Sequence, residues 1–376
     1  MISIFQPQLG EEELSAIKKV FASNWIGKGK VTDQFEQDFA SFIKSPRENF
    51  ISANCCTEAL FQALKIFEIG SGDEVIVPSV SFVAVANAVL DCGAKLVFCD
   101  VDPLTLNATA ELIEQKITKK TKAIFLLHYS VPCELDAILK LAELHNIKII
   151  EDTASSPFST YKGKATGTFG DIGTWSFDAM KILVAGDGSM VYCKTKDIAE
   201  KMSRLLYLGL KTASGFSNKV DNKWWEFDID CYGRRAIMND IGSAIGVEQL
   251  KKVPQFLEAR KKVYDFYDQN LKNLDWLTTQ TYIPAHTTIS YYFYRIQLKN
   301  PAHRDQLAVF LKENGIYTTF RYYPLHMVKF YNSDAKLPNA EAAAYSSLNL
   351  PLHQSISESD MAKVVEKIHQ FGKSFI

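Results

Sequence analysis

The stretch LDAILKLAELHNIKIIEDTASS, residues 135–156, decides the fold. Its first half, Leu135–His145, carries apolar residues at helical spacing, and residues 147–151 form a short apolar run that reads as a buried strand. The same alternation extends in both directions. Residues 73–78, 95–100, 123–128, 172–177 and 188–193 read as further strands, and residues 57–67, 82–90 and 196–208 as helices, with Gly70, Gly72 and Gly93 marking turns. Strands alternating with helices from about residue 50 to 195 specify an α/β domain on a mostly parallel sheet.

Length and composition bound the rest. At 376 residues the chain exceeds what one compact core usually holds, so a large domain over 1–250 and a smaller α+β domain over 251–376 are expected. Residues 238–271 carry helical spacing long enough to join the two, with a break or kink expected near Pro254. In the smaller domain, strands are expected near 289–297 and 316–320, and helices near 303–313 and 359–371. The polar stretch from residue 209 to Lys223 reads as a loop. A formal net charge of −1 with 23% charged residues asks for neither nucleic acid nor an acidic surface as partner. No run of about 18 apolar residues is present and no basic-then-apolar leader follows Met1, so no membrane span and a cytoplasmic location are expected. The 7 cysteines form no CxxC pair and the 7 histidines no HExxH pattern; reduced thiols and no structural metal are expected.

Three features fall at the carboxyl ends of the expected strands, where open α/β sheets bind their ligands. Asp152 directly follows the strand 147–151, placed to project a carboxylate into the crevice; taken alone, it fits a turn or helix cap equally well. Lys181 lies between two buried strands in GDIGTWSFDAMKILVAGDGSMVY, residues 170–192. Most lysines face solvent, but Gly186 and Gly188 beside this one permit close backbone approach. A lysine that forms a Schiff base needs a depressed pKa, which burial beside a bound pyridinium would supply. The third feature is Cys55-Cys-Thr-Glu-Ala-Leu60, which opens the helix 57–67 and exposes N–H groups that could hold a phosphate, as every helix start does.

With these three in place, the sequence resembles the DegT/DnrJ/EryC1/StrS family of sugar aminotransferases across almost its whole length. The matching segments run in order: Gly10-Glu-Glu-Glu, Asn24-Trp-Ile-Gly, Gly72-Asp-Glu-Val-Ile-Val-Pro-Ser79, Phe82-Val-Ala-Val-Ala-Asn87, Glu151-Asp-Thr-Ala, Gly170-Asp-Ile-Gly and Ser176-Phe177. After Lys181 they continue with Met238-Asn-Asp-Ile-Gly-Ser-Ala-Ile-Gly246, Tyr323-Pro-Leu-His326 and Leu350-Pro-Leu352.

The resemblance implies a fold of the pyridoxal-phosphate (PLP) type I class, with a mostly parallel seven-stranded sheet between helices plus a smaller C-terminal α+β domain. It implies that Lys181 holds pyridoxal 5′-phosphate as a Schiff base and that Asp152 keeps the pyridine nitrogen protonated, so that the ring acts as an electron sink. Phe82 falls where the family stacks an aromatic ring on the cofactor, and Cys56, Thr57 and Ser176 fall at phosphate-binding positions; for Phe82 and Ser176, core packing and a local backbone bond are the plainer readings. Two departures matter. Ser155 stands where the family has Gln or His against the cofactor's phenolic oxygen. Arg235 aligns with the Asn that reaches the partner subunit's cofactor phosphate; Arg234 and Arg235 could equally be a surface pair. Gly188-Ser189 replaces the usual Gly-Gly.

The implied reaction is transamination from L-glutamate to a nucleotide-linked keto sugar, of the kind used in polysaccharide biosynthesis, by a homodimer with shared active sites. The pocket is expected to draw on residues 25–30 with Trp25, the loop 211–225 with Lys211, and residues 321–326 with Arg321, Tyr322 and His326, the last of which fits packing against Pro324 equally well. Lys211, Lys219 and Arg321 suit the phosphate of a smaller keto compound equally well. Among rivals, the dehydratase branch replaces the Schiff-base lysine with histidine, which Lys181 argues against. A non-catalytic regulatory homologue is disfavoured by the retention of Asp152 and Lys181 together. A nicotinamide-binding protein would carry GxGxxG, which residues 52–57 lack.

Overall fold

The computed structural model describes residues 1–210, 227–280 and 282–373. In chain order the elements of the first part are α1 (Glu11–Ala22), α2 (Lys30–Phe42), β1 (Phe50–Ala53), α3 (Cys56–Ile66), β2 (Glu74–Pro78), α4 (Val83–Asp91), β3 (Lys95–Cys99), α5 (Ala110–Glu114), β4 (Thr121–Leu127), α6 (Leu135–His145) and β5 (Lys148–Asp152). They continue with β6 (Thr160–Tyr161), β7 (Lys164–Ala165), β8 (Ile172–Ser176), β9 (Ser189–Cys193) and α7 (Lys196–Leu206). The long α8 (Asp240–Leu271) then leads to β10 (Leu277–Thr279), β11 (Thr287–Thr288), β12 (Tyr294–Leu298), α9 (Ala302–Glu313), α10 (Pro338–Ser346), β13 (Ser347–Leu350) and α11 (Glu358–Gly372).

Seven strands form one sheet in the order β1-β9-β8-β5-β4-β2-β3, parallel from β8 to β3, with β9 antiparallel to both its neighbours. The two-residue period of a strand sorts its side chains between two cores. Val75, Val77, Ala123 and Phe125 face the core that holds α3 and α4, whereas Ile76, Ile124 and Leu126 face the one that holds α6. Burial on both faces explains why these strands read as continuous apolar runs. A separate core gathers Val263, Tyr264, Tyr267 and Leu271 of α8 with residues of β10, β12, β13, α9 and α11.

Several expectations change. Helix α8 continues through Pro254 without interruption over 32 residues. As the segment read to join the two parts, it spans residue 250, with Leu250 and Val253 in one core and Val263 and Tyr267 in another. Residues 316–320 form no strand; Ile316 and Thr319 make only isolated bridges, to Ile2 and Asn349. The strand expected from 289 begins at Tyr294.

Two buried carboxylates dock the N-terminal helices. Asp240 accepts from the N–H groups of Gly29 (2.8 Å), Val31 (3.3 Å) and Thr32 (3.0 Å) and from the Thr32 hydroxyl (2.7 Å), closing the open N-terminus of α2 against α8. Glu36 pairs with Lys28 at 2.8 Å and with Arg47, and accepts from Ser52 N and Oγ at 2.8 and 2.6 Å, which ties α2 to β1. Burial alone would push the Glu36 carboxyl up, but Lys28 and Arg47 outweigh it and hold it below the usual carboxylate range.

A carboxyl whose pKa falls on folding adds stability that is present above its unfolded value, about 4.3, and lost as pH drops through the folded value. Glu36→Gln should therefore lower the unfolding free energy at neutral pH by about 3 kcal/mol, because Lys28 and Arg47 lose their buried counter-ion. Denaturant titration at a series of pH values checks this: below about pH 4.3 the wild type should lose stability faster than the variant and the gap should narrow.

Candidate active site

The crevice is built at the carboxyl end of β5, where neighbouring residues face opposite ways. Glu151 turns inward and accepts from His128 Nε2 (2.9 Å) and the N–H groups of Gly167 (2.8 Å), Phe169 (2.8 Å) and Gly170 (2.6 Å). Cys133 N–H donates to His128 Nδ1 at 3.0 Å, so the ring's proton lies on Nε2, toward the carboxylate. Burial would raise Glu151, yet His128 and the amide donors hold it low. Asp152 turns the other way. It is 3% exposed, and among the described residues it accepts one hydrogen bond, from Ala154 N at 2.9 Å. Burial pushes its carboxyl above the ordinary value, against the opposing influence of Ala154 N–H and Lys181.

Lys181 lies in the loop between β8 and β9, and its Nζ donates to the Tyr292 hydroxyl at 3.4 Å. That hydroxyl donates in turn to the carbonyl of Met180 at 3.2 Å. The depressed lysine pKa is expected beside a bound pyridinium; the protein's own groups act the other way. Burial lowers it, but Tyr292, Tyr322 and Asp152 outweigh burial and favour the ammonium form. Lowering it falls to a cationic ring that neutralises Asp152.

Cys56 opens α3 beside this pair; burial, then the nearby Asp152, push its thiol up. Cys55 Sγ caps the helix by accepting from Glu58 N at 3.4 Å, leaving the N–H groups of Cys56 and Thr57 as first-turn donors. The Phe82 ring is 47% exposed and stands 5.7 Å from that of Tyr322, so it is not a core residue. The Tyr322 phenol, close to Lys181 and Asp152, is pushed up to about 12 by burial. The Ser155 hydroxyl is buried with no hydrogen-bond partner. Ser176 Oγ accepts from Asp178 N at 3.4 Å, the local bond that was its plainer reading.

Other expected residues lie differently. His326 is 6% exposed, with Nδ1 against Ser79 Oγ (2.6 Å) and Nε2 against Glu341 (3.2 Å); both nitrogens are used inside the chain, which favours the packed of its two readings. Trp25 is 43% exposed, its indole N–H donating to Lys28 O at 3.0 Å. Arg234 pairs with Glu58 and Asp91, both at 3.3 Å, whereas Arg235 is exposed, its guanidinium 5.3 Å above the Tyr207 ring. Lys211 and Lys219 lie outside the described residues. Sequence reasoning missed Tyr292 and the residue that places it. Arg260, buried in α8, donates from Nε to Tyr291 O and from Nη2 to Tyr292 O, both at 3.0 Å. Nothing in the run Tyr291-Tyr-Phe-Tyr294 singles out one hydroxyl, whereas an acidic residue ending an apolar strand is a signal that could have marked Glu151.

These residues fit pyridoxal phosphate. A buried carboxylate with an oxygen to spare suits the ring N–H, and the orphaned Ser155 hydroxyl suits a polar ring substituent. The half-exposed Phe82 offers an aromatic face, and the α3 N-terminus offers donors for a dianion.

Comparison with known proteins agrees. Residues 7–369 match the DegT/DnrJ/EryC1/StrS aminotransferase family. The chain is 45% identical to the dTDP-4-dehydro-2,3,6-trideoxy-D-glucose 4-aminotransferase of Saccharopolyspora spinosa, over 98% of this chain and 96% of that one. It is 34% identical to the GDP-perosamine synthase of Caulobacter vibrioides, over 98% of each. Among solved structures, the aminotransferase TlmJ from Streptoalloteichus hindustanus is similar with a TM-score of 0.94 and 43% identity, over 100% of both chains. A family match over nearly the whole length and a crevice suited to the cofactor lead to one conclusion: this chain belongs to the DegT/DnrJ/EryC1/StrS family and is a PLP-dependent aminotransferase of fold type I.

Proposed function

We propose that the protein transfers the amino group of L-glutamate to the keto carbon of a nucleotide-linked keto sugar, with a 4-keto deoxyhexose as first choice. The contact of Lys181 Nζ with Tyr292, beside the buried Asp152, carries the reading of the chemistry. The names of the Saccharopolyspora and Caulobacter relatives support the acceptor class. The cytoplasm, where nucleotide sugars are made, is the proposed location; among the described residues no helix is long and apolar enough to cross a membrane.

When bound, pyridoxal phosphate supplies an aldehyde carbon that takes the amine and a ring that accepts the electron pair left on the donor's α-carbon. Asp152 holds a proton at the ring nitrogen, and its burial keeps water from competing for that contact. Lys181 Nζ, once free, takes the proton from the donor's α-carbon and delivers it to the carbon that bears the transferred nitrogen. Tyr292, anchored by Met180 O and by Arg260 on its own carbonyl, restricts where Nζ can move. Ser155 offers its unpaired hydroxyl to the ring edge in place of the larger Gln or His of relatives. The segment 233–239 reaches a partner subunit, so that Arg235 supplements the phosphate donors of a second copy's α3.

Lys181→Ala should abolish transamination, and borohydride reduction followed by peptide mass analysis should place the cofactor adduct on Lys181 in the wild type; an adduct on another lysine refutes the assignment. Asp152→Asn should slow the donor half-reaction at least about a hundredfold, because a fixed charge at a charge-stabilising site typically supplies several kcal/mol of the barrier. Single-turnover rates within about threefold of wild type would reduce Asp152 to a turn residue. For the shared site, Arg235→Ala should weaken cofactor retention, and subunit exchange between Arg235→Ala and Lys181→Ala chains should recover activity, because one site of each mixed dimer then carries both native residues. A fully active monomer in sedimentation would exclude this arrangement.

A further inference from the structure

We infer that Arg321 binds the α-carboxylate of the amino donor, which rests on the proposed reading and adds to it the residue that selects an amino acid over a simple amine. The side chain is held in a fixed place. Its backbone N–H donates to Asn349 Oδ1 at 3.0 Å, and its carbonyl accepts from the Tyr129 hydroxyl. Asn349 Nδ2 donates to that same hydroxyl at 3.3 Å, and both partners are wholly buried. From this anchor the guanidinium lies 5.1 Å from the centroid of the Phe5 ring, and Nη2 reaches the Met180 thioether at 3.5 Å.

A guanidinium carries five N–H donors in a planar fork, and neither contact satisfies them: a thioether accepts weakly, and a ring face attracts the charge alone. Arg47, Arg204, Arg234 and Arg304 pair with carboxylates, and Arg260 and Arg295 with carbonyls. Among the described residues Arg321 has neither, although it is half-buried. The open fork is shaped for a planar oxyanion taken bidentately.

Position decides which anion. Arg321 touches Met180, whose carbonyl holds the Tyr292 hydroxyl that contacts Lys181 Nζ. In an α-amino acid the carbon that gives up its proton also carries the carboxylate, so a cation beside the proton-accepting lysine meets it. The phosphates of a nucleotide-linked 4-keto sugar hang from C1, across the sugar ring from the reacting carbon.

The test uses the holoenzyme. Arg321→Gln should raise the KM for the donor amino acid on the order of tenfold to a hundredfold, the range for a charge-assisted hydrogen bond, with kcat less affected and the KM for the keto sugar within about twofold. Glutarate, which has the carboxylates but no amine, should perturb the cofactor's visible absorbance in the wild type and bind more weakly to the variant by a similar factor. Arg321→Lys, which keeps the charge but not the fork, should recover part of the loss, and it provides the reading if Arg321→Gln fails to retain cofactor. Unchanged donor KM, a loss confined to the keto sugar, or glutarate that binds both proteins equally or the wild type not at all would overturn the assignment. A wild type that takes L-alanine and not L-glutamate would correct the donor, and the Arg321 effect would then be read on L-alanine. A wild type that takes no amino acid would overturn both.

Discussion

Glu151 is wholly buried and still ionised, because a histidine N–H and three backbone N–H groups converge on its two oxygens. A buried carboxylate is tolerated only when its oxygens are filled in this way. The donors come from the end of β4 and from the loop ahead of β8, so one side chain fixes the spacing of three adjacent strand ends. Gly173 shows how close that loop lies: a Cβ there would stand 1.8 Å from the carbonyl oxygen of Gly167. Since strand residues alternate in direction, anchoring Glu151 on one side fixes Asp152 on the other. The position of the reactive crevice is therefore set by an interaction that never touches it.

The second half of the chain reaches the crevice by a different route. Tyr129, at the end of β4, stacks on Phe293 at 5.1 Å, and Ser130 exchanges hydrogen bonds with both backbone groups of that phenylalanine. Arg260 clamps the two carbonyls just before it. Burial lowers that guanidinium to about 10, still far above neutral pH, so it stays charged, with carbonyl and amide oxygens as its acceptors among the described residues. These contacts set Tyr292 against Lys181, so lysine geometry depends on packing from both ends of the chain.

The place of Asp152 was legible because it stands where an apolar run stops, and that of Lys181 because it lies between two such runs, which themselves follow from a sheet buried on both faces. The same logic placed β5, β8 and β9 nearly to the residue. It failed for residues 316–320, whose β-like composition serves single bridges to Ile2 and Asn349 and not a ladder. The break allowed for at Pro254 does not occur, because the helical pattern on either side outweighs one missing donor. Tyr292, Arg260 and the occupied nitrogens of His326 had no local signature, since their roles are set by partners 15 to 247 residues away in sequence. The family resemblance supplied the cofactor and reaction, which no spacing alone would have given.

Helix α8 joins two fastenings described separately above. At its first residue Asp240 holds the start of α2, and twenty positions on, about 30 Å along the axis, Arg260 holds the carbonyls that carry Tyr292. Each residue of an α-helix turns the chain by roughly 100°. A single insertion or deletion between these points would swing one fastening to the wrong side of the rod, whatever residue was added or lost. This stretch of sequence is thus free to drift in identity at its exposed positions while its length works as a fixed gauge.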